Sequence, residues 1–195
     1  MSNKVYNILL VGVGGQGTIL AGRILSRAAV SLGGEVKVSD IHGMAQRGGS
    51  VVTQVRFGPK VYSPAMAEGT ADFLVAFEKL EARRWLPYLN ADGKLIVNKE
   101  EIHPLPVLIG ATTYPSALED EMSKMVTNTL MLDAFDLARQ AGNVKAVNVV
   151  MMGALAKYLP ISREAWEEAL ASSVPERFLE INKKAFQLGW ETAGI

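Results

Sequence analysis

The sequence predicts an α/β fold of three layers, in which helices cover both faces of a mostly parallel sheet and the C-terminal region is helical. Short apolar runs bounded by turn residues fill roughly the first 110 positions, and helical periodicity dominates afterwards. Of the 195 residues, 49% are apolar, which is enough to fill a substantial core. No linker or internal repeat divides the chain, so residues 1–195 are expected to form a single domain.

The first three predicted elements are a strand, a helix and a strand. Residues 5–11 form a short apolar run typical of a buried strand, and residues 15–32 place apolar side chains along one helical stripe. Gly33 and Gly34 end that helix, and residues 35–39 then alternate as a strand. Together these elements predict a βαβ unit.

Further strands are expected in the first half of the chain. Strand alternation returns at residues 51–57, and the apolar run 71–77 is followed by a short helix at residues 78–85. Residues 94–98 and 107–109 are further short apolar runs, each following a turn signal. The sheet therefore takes its strands from this half.

The second half of the chain is predicted to be helical. Apolar residues recur at three- and four-residue steps from Ser116 to Ala138, and residues 147–158 are mostly apolar, as in a helix buried on several sides. Ser162 is a suitable N-cap for a helix reaching Ser172. Residues 173–188 carry the last predicted helix.

A glycine fingerprint follows the first strand. Residues 12–17, GVGGQG, match the spacing G-x-G-x-x-G between a strand and a helix, where glycine allows a tight turn and a phosphate can approach the helix N-terminus. Asp40, at the end of the second strand, is placed where a dinucleotide ribose needs an acid. These features predict a Rossmann-like domain. The alternative is that the turn only lets the strand and helix pack closely, with no ligand.

A second glycine loop follows the second strand. Residues 40–50 have no periodicity and combine Arg47 with Gly48 and Gly49, a forked cation beside accessible amides that suits a phosphate or carboxylate. In a doubly wound sheet this loop faces the same crevice as the first one. His42 could transfer protons, but an ordinary loop histidine and a solvated arginine are the plainer interpretation.

Composition excludes several functions. Twenty basic residues balance 20 acidic ones, so no net charge attracts nucleic acid or an anionic membrane. No stretch approaches the roughly 18 apolar residues of a membrane span, and the apolar N-terminal run is too short for a signal peptide, so a soluble, cytoplasmic chain is expected. The sequence has no cysteine, and His103 has no histidine neighbour at metal spacing, so no metal site is predicted.

The two glycine motifs together resemble a known family. Residues 12–17 followed by residues 44–51, MAQRGGSV, are similar to the gamma-type subunits of 2-oxoacid:ferredoxin oxidoreductases. Residues 42–49, HGMAQRGG, are most similar to the beta subunit of the indolepyruvate:ferredoxin oxidoreductases within that family. The similarity extends over nearly the whole chain, and the paired motifs are much more specific than the fingerprint alone.

The resemblance implies a non-thiamine-binding subunit of an indolepyruvate (arylpyruvate) enzyme that oxidatively decarboxylates a 2-oxoacid to acyl-CoA and CO2 and reduces ferredoxin. Thiamine diphosphate, magnesium and iron–sulfur clusters are expected in a large partner subunit, because this chain has no cysteine to ligate clusters and no Gly-Asp-Gly start of a thiamine motif. Coenzyme A is the expected cosubstrate of the complex, and the isolated chain is expected to be inactive. No catalytic residue is predicted. The candidates for phosphate binding or subunit contact are Gly12, Gly14, Gly15, Gln16, Gly17, Arg47, Gly48 and Gly49.

Two other functions fit the residues. A free-standing NAD(P)- or nucleotide-binding oxidoreductase would use Gly12, Gly14, Gly17 and Asp40, although few acid–base residues converge to support an independent dehydrogenase. A small-molecule-binding regulatory module would use the same loops without any chemistry.

Overall fold

The computed structural model describes residues 4–43 and 48–194, which contain six strands and eight α-helices. The strands are β1 (Tyr6–Val13), β2 (Glu35–His42), β3 (Ser50–Gly58), β4 (Ala71–Ala76), β5 (Leu89–Asn98) and β6 (Thr129–Leu132). The helices are α1 (Thr18–Val30), α2 (Lys79–Trp85), α3 (Leu105–Leu108), α4 (Leu118–Met125), α5 (Ala134–Ala141), α6 (Val147–Ala156), α7 (Arg163–Ala171) and α8 (Leu179–Thr192).

The strands form one sheet in the order β2-β3-β1-β4-β5-β6. The pairs β1–β4, β4–β5 and β5–β6 are parallel, whereas β3 is antiparallel to both β1 and β2. The prediction of a mostly parallel α/β sheet is therefore confirmed, since only β3 runs against the others. The predicted βαβ unit is wrong in one respect: β1 and β2 point the same way, but β3 lies between them. A connection as short as the one between β2 and β3 favours an antiparallel neighbour.

Two further predictions are wrong. Residues 129–132 form strand β6, although the sequence predicts continuous helix from Ser116 to Ala138; a four-residue strand between two helices is too short to interrupt a helical pattern. Residues 107–109 belong to the exposed turn around α3 instead of a strand, because Pro104 and Pro106 favour a first helical turn.

Alternate residues of β1 separate two apolar cores. Ile8 and Leu10 face a layer made of α1, α5, α6, α7 and α8, which we call the thick layer. Leu9 and Val11 face a layer made of α2 and α4, which we call the thin layer. All four side chains are fully buried, as is Trp166 in the thick layer. The three-layer arrangement is as predicted.

Helices α6 and α8 touch in the thick layer through their backbones. A β-carbon added at Gly189 of α8 would lie 2.0 Å from the Val150 carbonyl oxygen, and one at Gly153 of α6 would lie 2.1 Å from that of Phe186. Only glycine permits this approach.

Candidate functional site

The β1–α1 turn lies at the carboxyl end of the central strand. Gly17 is the N-cap of α1 with φ 79°, in the left-handed region that favours glycine, and no side chain within residues 4–43 and 48–194 caps the helix. A β-carbon at Gly17 would also lie 2.7 Å from Nδ2 of Asn148, which donates a hydrogen bond to the Gly17 carbonyl. Among the described residues, the amide groups of the first turn of α1 therefore have no side-chain partner, and they can bind a ligand.

The side chain of Gln16 stabilises this turn through hydrogen bonds. Its Oε1 accepts a hydrogen bond from the Val13 amide at 2.7 Å. Its Nε2 donates to the carbonyl of Phe77, at the end of β4, at 2.8 Å and to Glu100 at 3.2 Å. Asn98 donates to the same Phe77 carbonyl and the same carboxylate. The carboxyl ends of β1, β4 and β5 are thus joined by side chains.

The two glycine loops meet at one edge of the sheet, as the sequence predicts. The Gly14 amide donates to the Gly49 carbonyl at 2.8 Å, directly beyond the pairing of Val13 with Ser50. Because β3 is antiparallel, its first residues lie beside the last residues of β1. This placement brings the end of β2, with His42, to the same edge.

An open cleft of about 390 Å³ lies between the β1–α1 turn and the ends of β2 and β3. Its described lining residues are Gly14, Gly15, Gly17, Thr18, Ile19, His42 and Val51. Of the other predicted site residues, Gly12 packs beneath the Gln16 side chain, Gln16 braces the turn and Gly49 bonds to Gly14. Gly48 is exposed with φ 78° at the same edge, and Arg47 falls outside the described residues.

Thr18 gives the cleft a polar group that sequence reasoning missed. The residue is only 3% exposed, yet its hydroxyl forms no hydrogen bond with the described residues. The hydroxyl is not sealed within the core, since the buried unpartnered side-chain atoms of the described chain are indole nitrogens of Trp85 and Trp166. Thr18 lines the cleft at the start of α1, and a hydroxyl as the first helical residue after a glycine turn could have indicated it.

The acid that favoured a dinucleotide, Asp40, does not lie beside the glycine turn. Asp40 lies on edge strand β2, about 9.5 Å from β1 by two strand spacings, and accepts a hydrogen bond from Thr53 at 2.6 Å. Its carboxylate is therefore hydrogen-bonded to the neighbouring strand β3. His103 lies on the loop after β5, with its ring 5.1 Å from that of Tyr114.

A buried carboxylate beside this edge was also missed. Glu78 is 1% exposed at the N-cap of α2 and accepts hydrogen bonds from the amides of Glu81 and Ile102 and from the Tyr114 hydroxyl. Burial raises the pKa of Glu78, and burial together with Glu78 raises the pKa of Tyr114. Glu78 and Glu100 lie two residues beyond the ends of the parallel strands β4 and β5, so carboxylates just after such strands were the available signal.

Residues 4–43 and 48–194 contain neither a group of metal ligands nor a membrane-spanning helix. No three histidine or carboxylate side chains there are grouped to hold a metal ion. No helix in the same ranges has the length and apolarity to cross a bilayer. The residues do not fit an iron–sulfur cluster either, because the sequence has no cysteine to ligate one.

The fold and the site define a Rossmann-like α/β domain whose glycine turn opens on a cleft at the carboxyl edge of the sheet. More particularly, the chain belongs to the pyruvate ferredoxin/flavodoxin oxidoreductase family, whose sequence pattern matches residues 7–192. The resemblance drawn from the two glycine motifs is thereby confirmed.

The alignments with two known relatives span almost the full length of this chain and of each relative. The chain is 42% identical to the indolepyruvate oxidoreductase subunit IorB of Thermococcus kodakarensis, over 97% of this chain and 96% of the relative. It is 32% identical to the 2-oxoglutarate synthase subunit KorC of Methanothermobacter thermautotrophicus, over 94% and 93%.

Solved structures agree with the fold. The gamma subunit of a keto/oxoacid ferredoxin oxidoreductase from Geobacter sulfurreducens superposes with a TM-score of 0.72 at 29% identity, covering 96% of this chain and 98% of that one. The 2-oxoglutarate:ferredoxin oxidoreductase of Magnetococcus marinus superposes with a TM-score of 0.76 at 21% identity, and covers 99% of this chain but 32% of that longer one.

Proposed function

We propose that the chain is the small, non-thiamine-binding subunit of an indolepyruvate (arylpyruvate) ferredoxin oxidoreductase. The observation that carries the proposal is the 42% identity to an indolepyruvate oxidoreductase subunit over nearly the full length of both chains, against 32% for a 2-oxoglutarate synthase subunit. The complex would convert a 2-oxoacid and coenzyme A to acyl-CoA and CO2, with the electrons passing to ferredoxin.

In this proposal the large partner subunit holds thiamine diphosphate, magnesium and the iron–sulfur clusters, and the complex works in the cytoplasm. The small subunit, as one gamma-type domain, contributes the edge that carries the two glycine loops. The alternative of a free-standing NAD(P)-dependent enzyme is not supported, because Asp40 is separated from β1 by β3 and bonded to Thr53.

The function is tested by purifying the chain with and without its large subunit. Only the complex should reduce ferredoxin, and indolepyruvate should be a better substrate than 2-oxoglutarate. Turnover by the isolated chain would contradict the subunit role, whereas a preference for 2-oxoglutarate would contradict the substrate assignment alone.

The cleft contributes a phosphate site for coenzyme A in the same proposal. Two features of the described residues support it: the N-terminus of the 13-residue helix α1 has no side-chain cap there, and Thr18, which lines the cleft, has a hydroxyl with no hydrogen-bond partner among those residues. The amides and the helix dipole favour an anion, and the hydroxyl adds a donor. His42 on the opposite wall adds an imidazole ring that can donate a hydrogen bond to an anion.

Thr18→Val keeps the shape of the side chain and removes the donor. In the complex it should raise the KM for coenzyme A about tenfold, the effect of losing one hydrogen bond to a charged group, while the KM for indolepyruvate stays within about twofold. Thr127→Val, an exposed threonine outside this cleft, is the matched control and should change neither constant. An equal KM for coenzyme A in the Thr18→Val and Thr127→Val variants would contradict a coenzyme A site in the cleft.

A further inference from the structure

The strongest unexplained surface feature is an exposed apolar turn, residues 105–109. Leu105 is 68% exposed, and Leu108 and Ile109 are each 69% exposed. Single exposed apolar side chains are normal on a protein surface, whereas several within five residues mark a contact surface. Nothing within the described chain covers these three side chains.

The apolar turn is held in shape by its own backbone. Amides of Leu108 and Ile109 donate to the carbonyls of Pro104 and Leu105 at 3.1 and 3.0 Å. The Ala111 amide closes the turn by donating to the Pro106 carbonyl at 2.8 Å. The prolines also restrict the backbone of the unfolded segment, so less conformational entropy is lost when the turn forms. The apolar side chains are therefore presented on a preformed support, which lowers the entropic cost of binding.

Both ends of the segment that carries the apolar turn are fixed to one residue. Ile102, before the turn, and Tyr114, after it, donate hydrogen bonds to the same oxygen of Glu78. Lys79 adds an ion pair to Glu101 at 2.6 Å. These anchors set the orientation of the turn relative to the sheet.

The position of the apolar turn is continuous with the proposed subunit edge. It follows β5 at the carboxyl end of the sheet, and Glu100, at the root of the segment, accepts a hydrogen bond from Gln16 of the β1–α1 turn. Charged residues such as Lys99 and Glu101 surround its base, as a polar rim surrounds the apolar centre of an interface.

We propose that the apolar turn inserts into an apolar pocket of the large, thiamine-binding subunit; this inference rests on the function proposed above. A second copy of the chain is a poorer occupant, because three side chains fall far short of the roughly 800 Å² per partner that a stable dimer buries. Within a larger heteromeric interface, the same three side chains suffice as an anchor.

The test compares two triple variants. In the first, Leu105→Ser, Leu108→Ser and Ile109→Ser remove the apolar side chains. In the matched control, Val30→Ser, Val38→Ser and Tyr62→Ser remove side chains that are 62%, 42% and 88% exposed elsewhere. Both isolated variants should melt within about 3 °C of the wild-type chain, because exposed substitutions have small effects on stability.

Affinity for the purified large subunit is then measured by calorimetric titration. The first variant should bind about 100-fold more weakly than the wild-type chain, and the control within about threefold. Equal affinity of both variants would overturn the inference while leaving the proposed function intact. Failure of the wild-type chain to bind would overturn both. A wild-type dimer that the first variant abolishes, seen by light scattering, would replace the large subunit by a second copy as the occupant.

Discussion

The two helix layers of the sheet are held together in different ways. The thick layer relies on continuous apolar packing, with Trp166 fully buried and α6 in backbone contact with α8 through Gly153 and Gly189. The thin layer has two short helices joined by ion pairs such as Lys79 with Glu119, and the exposed apolar turn emerges beside it. One layer stabilises the fold, and the other leaves surface available for contacts outside the chain.

The division also explains where the candidate site lies. The β1–α1 turn belongs to the thick layer through α1 and Asn148, but Gln16 reaches across to Phe77 and Glu100 on the side of the thin layer. The cleft and the apolar turn therefore share one rigid edge while depending on different layers. Substitutions in each layer should separate stability from association.

The largest effect is expected in the thick layer. Gly189→Ala places a β-carbon 2.0 Å from the Val150 carbonyl oxygen, so α6 and α8 must move apart, at a cost on the order of 3 kcal/mol in the free energy of unfolding. Gly194→Ala, just beyond α8, meets no atom closer than 3.4 Å and should stay within about 0.5 kcal/mol of wild type. Urea unfolding of the two variants measures this difference. Equal unfolding midpoints would show that α6 and α8 can move apart without loss of stability.

A smaller effect should appear at the glycine turns. Gly17 and Gly48 have nearly identical φ angles of 79° and 78°, but among the described residues only Gly17 has a neighbour, Asn148, at 2.7 Å from an added β-carbon. Alanine at Gly48 should cost about 1 kcal/mol for the left-handed conformation, and alanine at Gly17 about 2 kcal/mol. If thermal unfolding shows the same cost at both positions, Asn148 does not restrict the turn.

The smallest effects concern two glutamates of the thin layer, which should respond to pH with opposite signs. The hydrogen bond from Lys79 lowers the pKa of Glu119, so the stability that Glu119 contributes is present at neutral pH and lost as the pH falls below about 4.5. Burial raises the pKa of Glu78, so its contribution is complete in acid and declines as the pH rises through the folded pKa.

Unfolding of Glu119→Gln and Glu78→Gln at pH 4 and pH 7 measures both responses. The deficit of Glu119→Gln relative to wild type, about 0.5 kcal/mol for a partly exposed pair, should shrink in acid. The deficit of Glu78→Gln should instead grow in acid. If the stability deficits of both variants change in the same direction between pH 7 and pH 4, the result would contradict the burial of Glu78.

Local patterns were enough to predict much of this molecule. The run of residues 5–11, the glycine spacing of residues 12–17 and the helical stripe after it are signals within a few residues of one another, and β1, its turn and α1 form accordingly. The meeting of the two glycine loops followed from strand direction alone.

Strand order and exposure were not available from local patterns. The insertion of β3 between β1 and β2 depends on pairing between residues distant in sequence, and it moved Asp40 away from the site. Leu105 and Leu108 look like core residues in the sequence. The sequence does not show whether an apolar side chain is buried by its own chain or by a partner. The position of Thr18 at the start of α1 is a sequence signal, but the missing hydrogen bond of its hydroxyl is visible only in the structure.

The antiparallel β3 also has a consequence for folding. Because β1 lies between β3 and β4, it lacks one neighbour until residue 58 has been synthesised and the other until residue 76. Folding must therefore wait for pairings between distant residues, which slows it, and a nascent β1 exposes four fully apolar side chains in the meantime.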